Sequence, residues 1–174
     1  MDFFESVFEL IDMRSFSNLW YWIALAVLWS SASHYVLGVP FDMIMRARRM
    51  GEQAASDLDD LVRINVNRLL YLGEITGIWV LGFACFVVTG LFLMGFVYDS
   101  EFAQALFLIL FPLFILGMMS VTRARQIVDE VKTAEDLHKA LNAHRFWTQV
   151  LGVISIFITA IWGMYQNLNL GALG

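Results

Sequence analysis

Four long stretches without a charged side chain constrain this chain more than any other feature. They run between Arg14 and Asp42, from Ile75 to Tyr98, from Phe102 to Thr122, and from Phe146 to Gly174. A bilayer core about 30 Å thick needs about 20 apolar residues in a helix, and each stretch is long enough. Because the stretches are apolar throughout and do not alternate, they predict membrane helices rather than membrane strands.

The fold class that follows is an all-α integral membrane four-helix bundle, with residues 1–174 forming a single transmembrane domain. We expect the four spans at about 18–39, 70–97, 102–121 and 146–166. Hydrophobic residues make up 59% of the chain and charged residues 16%, whereas soluble domains lie near half and a quarter, so a soluble globule is excluded. The net charge of −5 likewise argues against a nucleic-acid partner.

The basic residues predict how the chain is threaded. Ten of the eleven lie in two segments, 42–68 and 122–145, and the loop that joins the second and third spans has none. Basic segments stay in the cytoplasm, so we expect a multi-pass membrane protein whose two termini and short middle loop face away from the cytoplasm. Apolar residues at helical spacing before the first span predict an outer interfacial helix over residues 1–15.

Each cytoplasmic segment is expected to form a helical hairpin that extends the bundle. Ser56 is followed three residues later by Asp59, and Thr133 by Asp136, which is the spacing of a helix-capping box. We therefore expect the first and third helices to continue about ten residues past the membrane, and new helices to start at Ser56 and Thr133.

The two hairpins also resemble each other at an offset of 77 residues. Between 46–68 and 123–145 there are six identities, including the Arg-Ala-Arg runs that begin both segments. One interpretation is a duplication that gives two parallel hairpin repeats. The other is that any such hairpin needs bases near the membrane and a cap at its turn.

Two ionisable residues, His34 and Glu74, lie inside the apolar stretches. Each is about five residues from the inner end of its span, so both share a depth of roughly 7 Å below the interface. Ionisable residues inside membranes are functional candidates, and this pair could bind a quinone head group or pass a proton. A structural hydrogen bond between the helices, or a Glu74 that reaches toward Arg68, is the alternative.

Other residues predict packing and lipid contact rather than chemistry. Gly73 and Gly77 form a small-xxx-small pattern that favours close helix packing. Five arginines are expected to contact lipid head groups: Arg46, Arg48, Arg49, Arg123 and Arg125. The sequence contains no catalytic motif or metal-ligand pattern, so we expect no enzyme activity, no metal and no cofactor beyond a bound lipid or quinone.

Residues 1–44 and 60–70 resemble a set of small membrane proteins from Rhodobacter-like alphaproteobacteria. The resemblance rests on Phe-Glu-Leu-Ile-Asp-Met-Arg-Ser-Phe-Ser-Asn at 8–18, Leu-Gly-Val-Pro-Phe-Asp-Met at 37–43 and the Asp60–Leu70 segment. These proteins often carry the label "component of SufBCD complex", but this chain has no ligand set for iron–sulfur clusters. The resemblance therefore implies a host, a bacterium that builds respiratory and photosynthetic inner membranes. With the threading above, we expect a protein of the bacterial inner (cytoplasmic) membrane with both termini in the periplasm.

Three classes of function remain open. The small size, the apolar surface and the lack of chemistry favour a non-catalytic accessory or assembly subunit of a larger respiratory or photosynthetic complex. Its partners would be the lipid bilayer and other integral membrane subunits. The alternatives are a small transporter or channel component, and a quinone-binding membrane protein that uses His34 and Glu74.

Overall fold

The structure is a computed structural model that describes residues 15–131 and 133–171. After a 3₁₀ turn at Ser15–Ser17, the helices are α1 (Leu19–His34), α2 (Phe41–Met50), α3 (Glu52–Phe92), α4 (Glu101–Glu130) and α5 (Ala134–Gly171). A π-helical segment, Leu93–Val97, prolongs α3. The all-α prediction is confirmed, and α3, α4 and α5 are each long and apolar enough to cross a membrane. The expected interfacial helix lies almost wholly outside the described residues.

The first helix is shorter than the span predicted for residues 18–39. Instead of continuing to residue 39 and beyond, α1 ends at His34, and a small antiparallel hairpin pairs β1 (Tyr35–Val36) with β2 (Val39–Pro40). The turn of this hairpin is Leu37-Gly38, and both residues have positive φ, 51° and 79°. Two central residues with positive φ match the strand twist of a two-residue hairpin, and Pro40 cannot donate to a helical ladder. The predicted continuous extension of the first helix is therefore wrong.

The two predicted helix starts have different outcomes. The predicted helix start at Thr133 is confirmed. Its Oγ1 accepts a hydrogen bond from the Asp136 backbone N–H at 3.1 Å, just before α5 begins. The predicted helix start at Ser56 is wrong, because α3 already begins at Glu52. Gly51, with φ of 87°, makes the turn after α2, so α3 begins four residues before the predicted start at Ser56.

These differences also overturn the expected superposition of the two hairpins. The third helix continues as predicted, since α4 runs without a break to Glu130. Its proposed counterpart, α1, is interrupted by the hairpin at Tyr35–Pro40 and only then followed by α2. The similarity at an offset of 77 residues therefore does not correspond to two equivalent hairpins.

Most of the buried apolar residues form one core at a single end of the molecule, away from the uncharged parts of α3, α4 and α5. They come from the hairpin, α2 and the polar parts of α3, α4 and α5, and include Val36, Val39, Ile44, Leu58, Val62, Val66, Ala124, Ile127, Leu137 and Leu141. We call this part of the molecule the basic end, because it carries the basic segments. Water drives apolar side chains together here, whereas lipid tails are as apolar as leucine and provide no such force.

The long helices pack in the order α1, α5, α4, α3, and α2 packs on α3. The α1–α5 contact is close at Gly152, where a Cβ atom would lie 2.8 Å from Cε3 of Trp29. By contrast, α1 and α3 share no comparable interface, so the arrangement is open on that side. This open side creates the cleft described below.

The end opposite to the basic end is closed by hydrogen bonds around Gln104, which is 1% exposed. Its amide donates to the Gly95 carbonyl oxygen at 2.8 Å, within the π-helical segment. Its Oε1 accepts from Trp162 Nε1 at 3.0 Å and from Gln166 Nε2. Gln104 thus joins α3, α4 and α5 at one point.

Candidate functional sites

A cleft of about 320 Å³ lies at the basic end, between the β1–β2 hairpin and α3. Its apolar walls are Ala32, Leu37, Leu69, Leu72 and Leu116. Its polar side chains are Asn65, Arg68, Ser120, His144 and Thr148. The hairpin turn closes one side, where a Cβ atom on Gly38 would lie 3.3 Å from Asn65 Oδ1. We refer to this space as the Arg68 cleft.

His144 and Thr148 are the buried polar residues of the cleft, with 4% and 2% of their surface exposed. Helix α5 has 38 residues and is about 57 Å long. His144 lies in the polar part of this helix, before the apolar segment that begins at Phe146. Its Nε2 is 3.4 Å from Ser120 Oγ, and the Ser120 hydroxyl donates to the Leu116 carbonyl oxygen at 2.8 Å. Burial, together with the positive charge of Arg123, lowers the pKa of His144 to about 4, so the ring is neutral near pH 7.

The Arg68 cleft has a positive character. Arg68 is exposed, and no aspartate or glutamate lines the cleft. Among the described residues the ion pairs join Arg63 to Asp60 and Lys139 to Glu135, so neither involves Arg68. The hydroxyl of Thr148 donates to the His144 carbonyl oxygen at 3.0 Å, within its own helix. The charged donor that faces this space is the Arg68 guanidinium.

The structure does not bring His34 and Glu74 together. Asn65, Arg68 and Leu72 define the face of α3 that lines the cleft beside the hairpin. Glu74 follows Asn65 by nine residues, which is two and a half helical turns, so it lies on the opposite face. His34 is exposed and its ring packs edge-on against Tyr35, with 5.1 Å between centroids. The predicted pair is wrong, because α1 and α3 are not neighbours, and a quinone site made of these two residues has no geometric basis.

Glu74 instead begins an exposed stripe along α3. Ile78, Leu81 and Cys85 follow it at intervals of four, three and four residues, and all are exposed, Ile78 by 80%. This spacing places them on one side of a helix. We call this stripe the Glu74 face. Only 6% of the most apolar window of α3 is buried, so the face is uncovered by the described part of the chain.

Gly73 and Gly77 do not mediate helix packing within the described chain. A Cβ atom at either position would meet nothing within 4 Å. The close approaches occur at other glycines, such as Gly152 beside Trp29 and Gly95 beside Gln104. The small-xxx-small pattern therefore did not identify the interface that the fold uses.

The predicted lipid-contacting arginines surround the basic end. Arg46, Arg48, Arg49 and Arg125 are exposed, and Arg123 is half-buried. No sequence pattern indicates the role of Arg145, whose guanidinium carbon lies 3.4 Å from the centroid of the Phe41 ring. This cation–π contact connects α5 to the first residue of α2 and helps to hold α2 against the core.

Comparison with known protein families, characterised proteins and solved structures finds no match for this chain. The resemblance to proteins of Rhodobacter-like bacteria therefore stays a prediction. Among the described residues, no group of three or more His, Cys, Asp or Glu side chains is placed to hold a metal ion. The Arg68 cleft and the Glu74 face are the two features of these residues from which a function can be argued.

Proposed function

We propose that this protein is a non-catalytic accessory or assembly subunit of a larger inner-membrane complex, respiratory or photosynthetic. The proposal rests on the exposed Glu74 carboxylate, which has no partner in the described part of the chain. It lies next to the uncharged stretch that starts at Ile75, and the described chain supplies no hydrogen bond or ion pair to it. A carboxylate in such a position is costly unless a partner or water satisfies it.

The surroundings of Glu74 support a protein partner. The rest of the Glu74 face consists of Ile78, Leu81 and Cys85, which offer no polar path for an ion or a solute. A transport pathway would need polar residues to continue along the helix, so this arrangement favours docking over transport. The partner that fits is a membrane helix with an Arg, Lys, His or amide donor at the depth of Glu74.

We further propose that all four apolar stretches cross the membrane, with both termini in the periplasm. At 16 residues α1 is about 24 Å long, slightly shorter than a bilayer core. The 3₁₀ turn before it and the hairpin after it add length at both ends. The concentration of basic residues at one end supports a cytoplasmic location for that end.

Co-purification tests the proposed role. The tagged protein is extracted from its host in a mild detergent, and its partners are quantified by mass spectrometry for the wild type, Glu74→Gln, Glu74→Leu and Glu52→Leu. Glu52 is the control, because it is an exposed carboxylate of α3 outside the apolar part. We expect one complex at fixed stoichiometry, and Glu74→Leu to weaken association by about 5- to 150-fold, since it leaves a buried partner group unsatisfied.

Glu74→Gln keeps the shape and the hydrogen-bonding capacity, so it should retain most of the association. Recovery of the wild type as a lone monomer would contradict the proposal. Equal losses for Glu74→Leu and Glu52→Leu would also contradict it, because the effect would then not come from the Glu74 face.

A further inference from the structure

We propose that the Arg68 cleft binds the phosphate head group of an anionic phospholipid. This inference is independent of the proposed function, because the cleft lies on the side of α3 opposite to Glu74. It rests on three features of the cleft: its charge, its apolar walls and its position along α3.

The charge of the cleft selects an anion. Arg68 provides up to five N–H donors in a planar fork that matches phosphate oxygens, and no carboxylate lines the cleft to compete for them. The hydroxyl groups of Ser120 and Thr148 already donate to carbonyl oxygens of their own helices, at 2.8 and 3.0 Å. Arg68 is therefore the charged donor of the cleft. Asn65, three residues before Arg68 on the same face, adds an amide donor.

The walls of the cleft select an amphiphile over a free anion. Leu69 and Leu72 of α3 and Leu116 of α4 line it, and Ala32 of α1 lines the opposite side. A soluble phosphate would leave these apolar side chains uncovered, whereas the upper part of an acyl chain would bury them. The open side between α1 and α3 gives a lipid lateral access.

The position of the cleft matches that of lipid phosphates. Arg68 lies shortly before the uncharged part of α3, at the same end of the molecule as the two Arg-Ala-Arg runs. Lipid phosphates lie at this boundary between apolar and polar surroundings, and a basic pocket between helices at this level is suited to an anionic head group. The other arginines attract such lipids diffusely, whereas Arg68 faces a defined space.

Native mass spectrometry of the full-length protein in detergent tests this proposal. Phosphatidylglycerol, phosphatidylcholine and inorganic phosphate are titrated separately into the delipidated wild type and into Arg68→Gln, Ala32→Phe and Arg63→Gln. Arg63→Gln is the matched control, because Arg63 is an exposed arginine of the same helix that pairs with Asp60 at 2.7 Å and does not line the cleft. Ala32→Phe fills the cleft and leaves every charge in place.

We expect one phosphatidylglycerol to bind the wild type about tenfold more tightly than phosphatidylcholine, because both lipids carry a phosphate but the choline ammonium of phosphatidylcholine offsets the negative charge that Arg68 attracts. The affinity for phosphatidylglycerol should fall by about that factor in Arg68→Gln and in Ala32→Phe. It should not fall in Arg63→Gln. If one of the two cleft variants fails to fold, the other decides the question. The proposal is overturned if both lipids bind equally, if Arg63→Gln loses as much affinity as the cleft variants, or if inorganic phosphate displaces the lipid.

Discussion

Replacement of Gln104 by leucine should destabilise the bundle at the end opposite to the basic end. Gln104 is buried in α4 and makes three side-chain hydrogen bonds to neighbouring segments. Leucine has a similar volume, so the substitution removes the bonds and leaves the packing nearly intact. The Gly95 carbonyl oxygen and the Trp162 N–H would then lack their partners.

The size of the effect follows from these contacts. Side-chain hydrogen bonds within membranes contribute about 0.6 kcal/mol each, so three give about 2 kcal/mol. Buried groups left unsatisfied cost about 1 to 3 kcal/mol each, which sets the upper part of the range. We therefore expect Gln104→Leu to lower the free energy of unfolding by about 2 to 4 kcal/mol.

The assay is unfolding in mixed micelles, in which dodecyl sulfate is titrated against dodecyl maltoside and helicity is followed by circular dichroism. Gln149→Leu is the control, because Gln149 is an exposed glutamine of α5. A loss for Gln104→Leu no greater than that for Gln149→Leu would refute the role assigned to the hydrogen bonds of Gln104.

Three further predictions concern topology, helix capping and pH. A reporter fused after Gly174 should report the periplasm and one inserted near Gln53 the cytoplasm; a cytoplasmic C-terminus would overturn the threading. Thr133→Ala should lower the free energy of unfolding in the same micelles by about 1 kcal/mol, because it removes a helix cap. Ser56→Ala should change this free energy little, because Ser56 lies within α3. The reverse order would contradict the helix starts described here. The pKa of His144 is lowered to about 4 in the folded protein, so between about pH 6.5 and 4 the unfolded chain binds a proton at His144 that the folded protein does not bind. The contribution of His144 to stability should therefore be full above about pH 6.5 and fall as the pH drops from about 6.5 to 4. His144→Gln should flatten that decrease, and an unchanged profile would show that another group causes it.

Parts of the fold could be predicted because they depend on local patterns. The uncharged stretches predicted the long helices, and the Thr133–Asp136 spacing predicted the start of α5. The Ser56–Asp59 spacing gave the same signal as Thr133, but Gly51 had already turned the chain. Two identical local patterns can therefore differ in outcome when a stronger turn residue precedes one of them.

The candidate sites could not be predicted, because they depend on which helices are neighbours. The hairpin at Tyr35–Pro40 is apolar, so hydropathy conceals it, although Gly38 and Pro40 two residues apart are a turn signal. The pairing of His34 with Glu74 assumed that consecutive helices pack together, whereas α1 packs on α5. The Arg68 cleft exists because α1 and α3 stay apart, and no local pattern in the sequence encodes that separation.

Cross-linking from Cys85 tests the central claim, that the Glu74 face docks on another membrane subunit. Cys85 is the single cysteine of the chain, is exposed, and lies on that face eleven residues after Glu74. A maleimide-benzophenone probe attached to it in native membranes captures neighbours on irradiation. The control carries Thr76→Cys in a Cys85→Ser background, since Thr76 is exposed and lies nine residues earlier, on the opposite side of α3.

If the Glu74 face docks on another subunit, one dominant adduct forms between Cys85 and another integral membrane protein. This adduct is reduced by Glu74→Leu and does not form from position 76. Adducts with lipid alone, or the same protein adducts from both positions, would contradict this docking.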